Sequence, residues 1–194
     1  MINKISKIIL FSFIIGTKIY SDPYQNFLDF LENINFKKIK IVYSQVQYGN
    51  HYLAEGDLYI FSQGFYCYDD PEKQIVINQD SVVSINKRNK QVIYDDRITN
   101  SFSILDLLTN PTLNIEVDSV TNKNSMSIID IHVPKLDLKG IMFLDFHSGQ
   151  PQRISLKNES IYNFNLEIGQ MTDFKMDDFP KVKLTNYEVI DLRE

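Results

Sequence analysis

The residues Glu55–Pro71 (EGDLYIFSQGFYCYDDP) place the strongest constraint on what this chain can fold into. They predict two short strands, Leu58–Phe61 and Phe65–Tyr68, joined by a tight turn in which Gly64 can adopt the positive φ that a hairpin needs. Successive side chains of a strand point to opposite faces, and here both faces are apolar or aromatic. A hairpin with one side in water is polar on that side. We therefore predict that both faces are covered, one by protein and the other by protein or by a bound molecule.

The first 21 residues have the pattern of a secretory signal peptide. Two basic residues, Lys4 and Lys7, precede the apolar run Ile8–Ile15, which is too short to span a bilayer. An N-terminal anchor that stays attached is the alternative. We expect cleavage near residue 21, so that residues 22–194 form a single soluble domain outside the cytoplasm.

The charge and the cysteine content exclude several classes of function. The chain has a net charge of -5, and removal of residues 1–21 would take away three lysines and no acids, which makes it -8. An acidic chain without a Lys/Arg cluster is not typical of nucleic-acid-binding proteins. Cys67 is the single cysteine, so no intramolecular disulfide framework is expected, and no cysteine near the predicted cleavage site could carry a lipid anchor.

An amphipathic helix is predicted at the start of the mature chain. Asp22 is a suitable N-cap and Pro23 a suitable first-turn residue. The helix is expected to end near Asn35, and its apolar stripe consists of Tyr24, Phe27, Leu28, Leu31 and Ile34. Such a helix can simply cover a core, or it can be a lid over an open sheet.

The remaining chain indicates short strands separated by turn residues, at a spacing of about ten residues that is typical of an antiparallel meander. Strands are predicted over 38–47, 58–61, 65–68, 74–78, 81–85, 91–94, 113–118, 127–133, 140–146, 152–157 and 161–168. Residues 48–54 are predicted as a loop, 171–176 as a possible further strand, and 181–194 as a weakly alternating tail. Leucines at helical spacing predict a short helix in Ser101–Thr109, ended by Pro111. The total is about eleven strands and two or three helices.

Residue types used in catalysis are present without the geometry that catalysis requires. Ser84 and Lys87 match the Ser-x-x-Lys pattern of serine acyl-enzymes, but that motif needs a helix and these residues end a predicted strand. Acidic pairs at 69–70, 95–96 and 177–178 lie in predicted turns, where aspartate is common for backbone reasons. The three histidines show no metal-ligand spacing: His51, His132 and His147. We expect no enzymatic activity, no cofactor and no metal site.

An ordered set of short motifs resembles the LolA family of periplasmic lipoprotein carriers. The signal and the helix are followed by an aromatic-x-Gln strand at Tyr43–Gln45, by Gly-Asp-Leu-Tyr-Ile at Gly56–Ile60, and by aromatic-x-Tyr-x-x-Pro at Tyr66–Pro71. A Gln-Ile-Val strand and its turn come next, over Gln74–Asp80. The likeness is best over residues 39–94 and continues more loosely to Phe179-Pro180.

This resemblance implies a mainly β (α+β) fold, an unclosed antiparallel β-barrel with a lid of short helices over a hydrophobic cavity. It implies a carrier that takes acylated lipoproteins from an inner-membrane ABC release complex (LolCDE-like) across the periplasm. The acceptor at the outer membrane would be a LolB-like receptor, where one exists. LolB shares the fold but is lipid-anchored, so the lack of an N-terminal cysteine favours the soluble carrier. We expect a monomer.

The sequence departs from the family at the hairpin turn. The family commonly has an arginine there that bonds the lid, whereas this chain has Ser62-Gln63-Gly64, so gating by that residue does not transfer. The family's tryptophan in the aromatic-x-Tyr motif is Tyr66 here.

The carrier hypothesis assigns specific residues to the cavity and the lid. For the acyl cavity we predict Leu58, Ile60, Tyr66, Tyr68, Ile75, Ile77, Val83 and Ile85. For the underside of the lid we predict Leu28, Leu31, Leu105 and Leu108. Ordinary core packing is the alternative role for each residue. The alternative function is a non-catalytic periplasmic scaffold or adaptor whose barrel is filled by its own side chains.

Overall fold

The secondary structure is mainly β. The computed structural model describes residues 22–47, 49–97, 103–134, 137–158 and 162–193, so the predicted signal peptide lies outside the described residues. The helices are α1 (Pro23–Glu32), a 3-10 helix at Ile104–Leu108 and a 3-10 turn at Met176–Asp178. The strands are β1 (Lys37–Gln47), β2 (Asn50–Ser62), β3 (Phe65–Asp69), β4 (Lys73–Ile77), β5 (Ser81–Asn86), β6 (Gln91–Asp96), β7 (Glu116–Lys123), β8 (Met126–Val133), β9 (Leu138–Asp145), β10 (Pro151–Lys157), β11 (Tyr162–Asp173) and β12 (Glu188–Asp191).

The strands of the described residues form one sheet that does not close on itself. Its order is β12-β6-β5-β4-β3-β2-β1-β11-β10-β9-β8-β7. Neighbouring strands are antiparallel except β12, which pairs in parallel with β6. The predicted unclosed sheet is confirmed, and the C-terminal tail adds a twelfth strand at its edge.

Several strands extend beyond their predicted bounds, and the largest extensions are in β2, β11 and β7, which was predicted over 113–118 and ends at Lys123. β2 begins at Asn50 in the predicted loop, because it pairs with β1 along its whole length, from Gln47↔Asn50 to Lys37↔Ile60. Residues 171–173 belong to β11, since Lys37 pairs with Asp173 at the other side of β1. The extension of β11 depends on a partner distant in sequence, whereas that of β2 depends on a tight hairpin with β1; local propensity reports neither pairing.

The helix α1 packs its apolar stripe into the core. Asp22 caps it by accepting a hydrogen bond from Tyr24 N at 3.0 Å. Phe27, Leu31 and Ile34 are at most 1% exposed and belong to the main core cluster. None of the helices among the described residues is long and apolar enough to cross a membrane.

Both faces of the β2–β3 hairpin are covered, as predicted. Leu58 and Ile60 are buried in the main core cluster on one face. On the opposite face, Tyr59 and Phe61 belong to a second buried cluster, where the Phe174 ring lies 5.3 Å and 5.4 Å from their ring centroids. The segment that contains the Met176–Asp178 turn therefore covers the outer face of the sheet.

Candidate functional site

A cavity of about 610 Å³ lies between the inner face of the sheet and the 3-10 helix Ile104–Leu108, which we call the cover helix. Alternate residues of each strand reach it, because side chains on one face of a strand recur every second position. Its wall is mostly aliphatic and aromatic: Ile41, Tyr43, Ala54, Tyr66, Tyr68, Ile75, Ile77, Ile104, Leu105, Leu138, Leu156 and Phe164. Four polar side chains complete it: Gln45, Lys73, Ser103 and Asn158.

The cover helix is short but strongly capped. Leu105 N donates to Ser103 Oγ at 3.3 Å, and Ser103 N donates to Asp106 Oδ2 at 2.8 Å, which is a capping box. Ile104 and Leu105 reach the cavity, whereas Leu107 and Leu108 are fully buried in the core. The same helix thus anchors itself with one side and closes the cavity with the other.

Asp106 ties the cover helix to the sheet. Its Oδ1 accepts hydrogen bonds from Tyr66 Oη at 3.0 Å and from Arg97 Nη2 at 2.8 Å. The Asp106 side chain is 3% exposed and that of Arg97 is 17% exposed, so the ion pair is largely shielded from water. Burial, followed by the nearby carboxylate of Asp106, raises the pKa of Tyr66, which keeps its hydroxyl protonated as a donor.

The turn of the β2–β3 hairpin also holds the cover helix. Gly64 N donates to the carbonyl of Thr109, the C-cap of the helix, at 3.0 Å. Gly64 has φ +68, the left-handed conformation expected from the sequence. A backbone hydrogen bond therefore connects this turn to the end of the cover helix.

Tyr68 lies on β3 in the cavity wall, next to Gly56 of the neighbouring strand β2. Gly56 leaves room for the Tyr68 ring, because a Cβ at residue 56 would lie 2.8 Å from that ring. Tyr68 is buried, and its hydroxyl oxygen is shielded from solvent. Lys73 Nζ lies 5.6 Å from the ring centroid. Burial, with the carboxylate of Asp70 next, raises the pKa of Tyr68.

Comparison with solved structures shows a protein that has a similar fold. The chain is similar to an uncharacterized conserved protein from Thermus thermophilus, with 10% identity over 88% of this chain and 99% of that one and a TM-score of 0.53. The open sheet curved around a covered apolar cavity is the architecture that the sequence motifs implied. The two chains share one fold.

Two further solved structures are similar at lower TM-scores. A LolA superfamily protein from Nitrosomonas europaea has 11% identity over 81% of this chain and 97% of that one, with a TM-score of 0.43. A DUF1329 family protein from Desulfovibrio piger has 9% identity over 79% and 94%, with a TM-score of 0.43. No protein-family model matches the sequence, and no curated protein matches it.

The cavity brings together some of the residues that we assigned to it. Tyr66, Tyr68, Ile75 and Ile77 line the wall. Leu58 and Ile60 are fully buried in the core cluster on the same face. Val83 and Ile85 lie on the opposite face of the sheet, because they pair with Val76 and Gln74, which alternate with Ile75 and Ile77.

The four residues assigned to the lid also lie in different environments. Leu105 lines the cavity from the cover helix. Leu31 of α1 and Leu108 are at most 1% exposed within the core cluster, and Leu28 is half-buried without reaching the cavity wall.

Several wall residues were not assigned from the sequence. Ile41 and Tyr43 share a face with Ile39 in the alternation of β1, so their inclusion was within reach of the sequence pattern. Leu138, Leu156 and Phe164 come from β9, β10 and β11, which reach the cavity because β11 pairs with β1. No local signal in the sequence indicates that pairing.

Proposed function

We propose that this protein is a periplasmic carrier that binds the acyl chains of lipoproteins released from the inner membrane and delivers them to the outer membrane. One observation carries the proposal: an apolar cavity of about 610 Å³ between an open sheet and a short cover helix. Binding sites for small ligands are clefts or cavities of roughly 300–1,000 Å³. The volume and the composition of this cavity both suit a flexible hydrocarbon chain.

The energetics of an acyl chain fit such a wall. Each methylene kept from water contributes roughly 0.8 kcal/mol, so a chain of about 14 carbons represents about 11 kcal/mol. Aliphatic and aromatic side chains can supply this through contacts that need no fixed polar partner. Because these contacts are non-directional, the cargo can slide out again and pass to an acceptor.

The cavity supports the carrier over a scaffold whose barrel is filled by its own side chains. The carrier's partners would be acylated lipoproteins as cargo, an inner-membrane ABC release complex as donor and a LolB-like protein as acceptor. Its place in the periplasm rests on the signal peptide expected at residues 1–21. The protein would act as a monomer without catalysis, cofactor or metal.

Native mass spectrometry of the protein purified from its own periplasm tests this proposal. We expect a fraction of the molecules to carry a bound lipoprotein, released when the protein is denatured. Depletion of the protein should leave outer-membrane lipoproteins in the inner membrane. Protein without acylated cargo, together with correct lipoprotein placement after depletion, would overturn the carrier function.

A further inference from the structure

The first part of β2 extends beyond its neighbour β3 and leaves one strand edge open. β3 pairs with β2 from Asp57↔Asp69 to Ser62↔Phe65, whereas β1 pairs with β2 from Gln47↔Asn50 onwards. Within the part of the chain that the structure describes, residues 50–56 therefore have no strand on the β3 side. We call this segment the open edge of β2. Every second residue of such a segment directs its backbone N–H and C=O groups away from the sheet.

The open edge starts at the cavity wall and continues into solvent. Ala54 lies within the open edge and lines the cavity, and so does its partner on β1, Tyr43. Tyr52 follows Ala54 on the same face of β2, is 53% exposed, and pairs with Gln45, another residue of the cavity wall. A chain that leaves the cavity past Ala54 can therefore run directly along the open edge.

The open edge lacks the features that protect an exposed strand from pairing with another chain. Such features are charged side chains, prolines and β-bulges. Residues 50–54 contain no proline, acid, lysine or arginine, and their register with β1 is continuous. At one end of the sheet, in contrast, β7 carries three charged side chains and has a register shift between Val117 and Ser119. The β7 edge is thus protected, whereas the open edge of β2 can pair.

A strand edge is complementary to an extended polypeptide, because each backbone presents the donors and acceptors that the other needs. The proposed cargo has such a polypeptide, since a lipoprotein carries its acyl chains on its N-terminal residue and the rest of the protein follows. β2 runs from Asn50 toward the cavity wall at Ala54. A cargo polypeptide that starts in the cavity runs the opposite way, so the two would pair antiparallel, which is the slightly more stable arrangement.

We propose that the open edge of β2 binds the first residues of the cargo polypeptide as an added antiparallel strand. This inference rests on the proposed carrier function. It gives the protein a means of preferring acylated polypeptides to free lipids that would fit the same cavity. Backbone hydrogen bonds do not depend on the side chains of the cargo, so lipoproteins of unrelated sequence would be accepted.

Two lipopeptides that differ in their backbone donors provide the test. The first is an N-palmitoylated hexapeptide of alternating serine and threonine, and the second is the same lipopeptide with methylated amide nitrogens. Titration calorimetry below their critical micelle concentrations should show that the protein binds the first about three- to thirtyfold more tightly, as two or three hydrogen bonds predict after the cost of ordering the peptide. A third ligand, 1-palmitoyl-lysophosphatidylcholine, has no peptide and reports binding by the cavity alone.

Hydrogen exchange of the backbone amides, followed by NMR, locates the bound peptide without any substitution in the protein. The unmethylated lipopeptide should slow the exchange of every second amide over residues 50–56, whereas the lysolipid should leave these amides unchanged. The amides of β7 are the matched control, because they lie on an exposed edge that is protected by charge and a bulge. Neither ligand should change their exchange.

The outcomes separate this inference from the carrier function. Equal affinities for the two lipopeptides, or unchanged exchange along the open edge of β2, would overturn the added strand while leaving the carrier function intact. Failure of the protein to bind the lysolipid and both lipopeptides would overturn both.

Discussion

Arg97 Nη2 lies 2.8 Å from Asp106 Oδ1, and this ion pair connects the end of β6 to the cover helix over the cavity. Arg97 Nη1 also donates to the carbonyl of Asn78 at 3.2 Å, so the arginine joins the cover helix to the β4–β5 turn as well. The cover is therefore held by polar contacts at its rim, while Ile104 and Leu105 face the cavity. Leu107 and Leu108, which are buried in the core, anchor the same helix from its other side.

Replacement of Asp106 by alanine should loosen the cover helix and destabilise the fold. It would leave Arg97 without its partner in a shielded position, and removal of one member of a buried pair costs about 3–5 kcal/mol. Urea denaturation should show a decrease of this size in the free energy of unfolding. Hydrogen exchange at the amides of the cover helix should become faster.

The control for this variant is Asp173→Ala. Asp173 pairs with Lys37, but its side chain is 83% exposed, and surface ion pairs contribute about 0–1 kcal/mol. If Asp106→Ala proves no more destabilising than Asp173→Ala, the ion pair does not hold the cover.

Partial filling of the cavity should weaken acyl binding without unfolding the protein. Ala54→Phe adds a ring to the cavity wall and displaces about two methylenes of a bound chain, which corresponds to roughly tenfold weaker binding. Fluorescence titration with N-phenyl-1-naphthylamine, and its displacement by a lysolipid, measures this loss.

Leu53→Phe is the neighbouring control. Leu53 is 77% exposed and points to the face opposite Ala54, so a ring at this position should leave the affinity unchanged. Equal affinities of the two variants would mean that this cavity is not the acyl site.

Two glycines with the same backbone conformation should respond differently to alanine. Gly64 and Gly149 both have φ +68, which costs an L-residue about 1–2 kcal/mol. A Cβ at Gly64 would meet nothing within 4 Å, whereas a Cβ at Gly149 would lie 2.2 Å from the carbonyl oxygen of Asn26 in α1. Gly149→Ala should therefore lower the free energy of unfolding by more than Gly64→Ala, which chemical denaturation can compare. Equal losses would show that α1 shifts away without cost.

The stability should fall with pH above about 9. Burial raises the pKa of the Cys67 thiol from 9.0 to about 12, so the unfolded chain loses this proton at a lower pH than the folded protein. The folded state then binds more protons, and the free energy of unfolding decreases as the pH rises from about 9 to about 12. Urea midpoints measured between pH 8 and 10 should show the decrease. In Cys67→Ala the free energy of unfolding should depend less on pH below pH 10; above pH 10 the tyrosines begin to contribute. An unchanged slope in this variant would contradict the assignment of the decrease to Cys67.

The sequence predicted the elements whose pattern is local. The alternation on either side of Gly64 predicted the hairpin, and the pattern Phe27–Leu31–Ile34 predicted the buried stripe of α1. The sequence predicts a loop over residues 48–54, where the structure has the first part of β2, whose residues 50–53 are exposed. Only pairing with β1 makes that segment a strand.

The sequence pattern identified cavity residues on one strand, but it did not show which face of the next strand lies toward the cavity. Ile75 and Ile77 line the cavity, but Val83 and Ile85 of the next strand lie on the other face. Both pairs alternate in the same way, and a one-residue difference in register decides which face each pair occupies. The sequence shows the alternation of apolar residues along each strand, but it does not show the register between the two strands.

The amino-acid sequence by itself determined that the β2–β3 hairpin is covered on both faces, because side chains so apolar are not left in water on either side. The spacing of its short strands also predicted an antiparallel meander, while the open sheet was implied by the resemblance to the LolA family. Only the tertiary structure decided that Phe174 and Phe179 cover one face while a cavity remains on the other, and that Arg97 and Asp106 hold the helix over it. These contacts join residues far apart in the chain, and their partners are fixed by the packing of the whole sheet rather than by any local pattern.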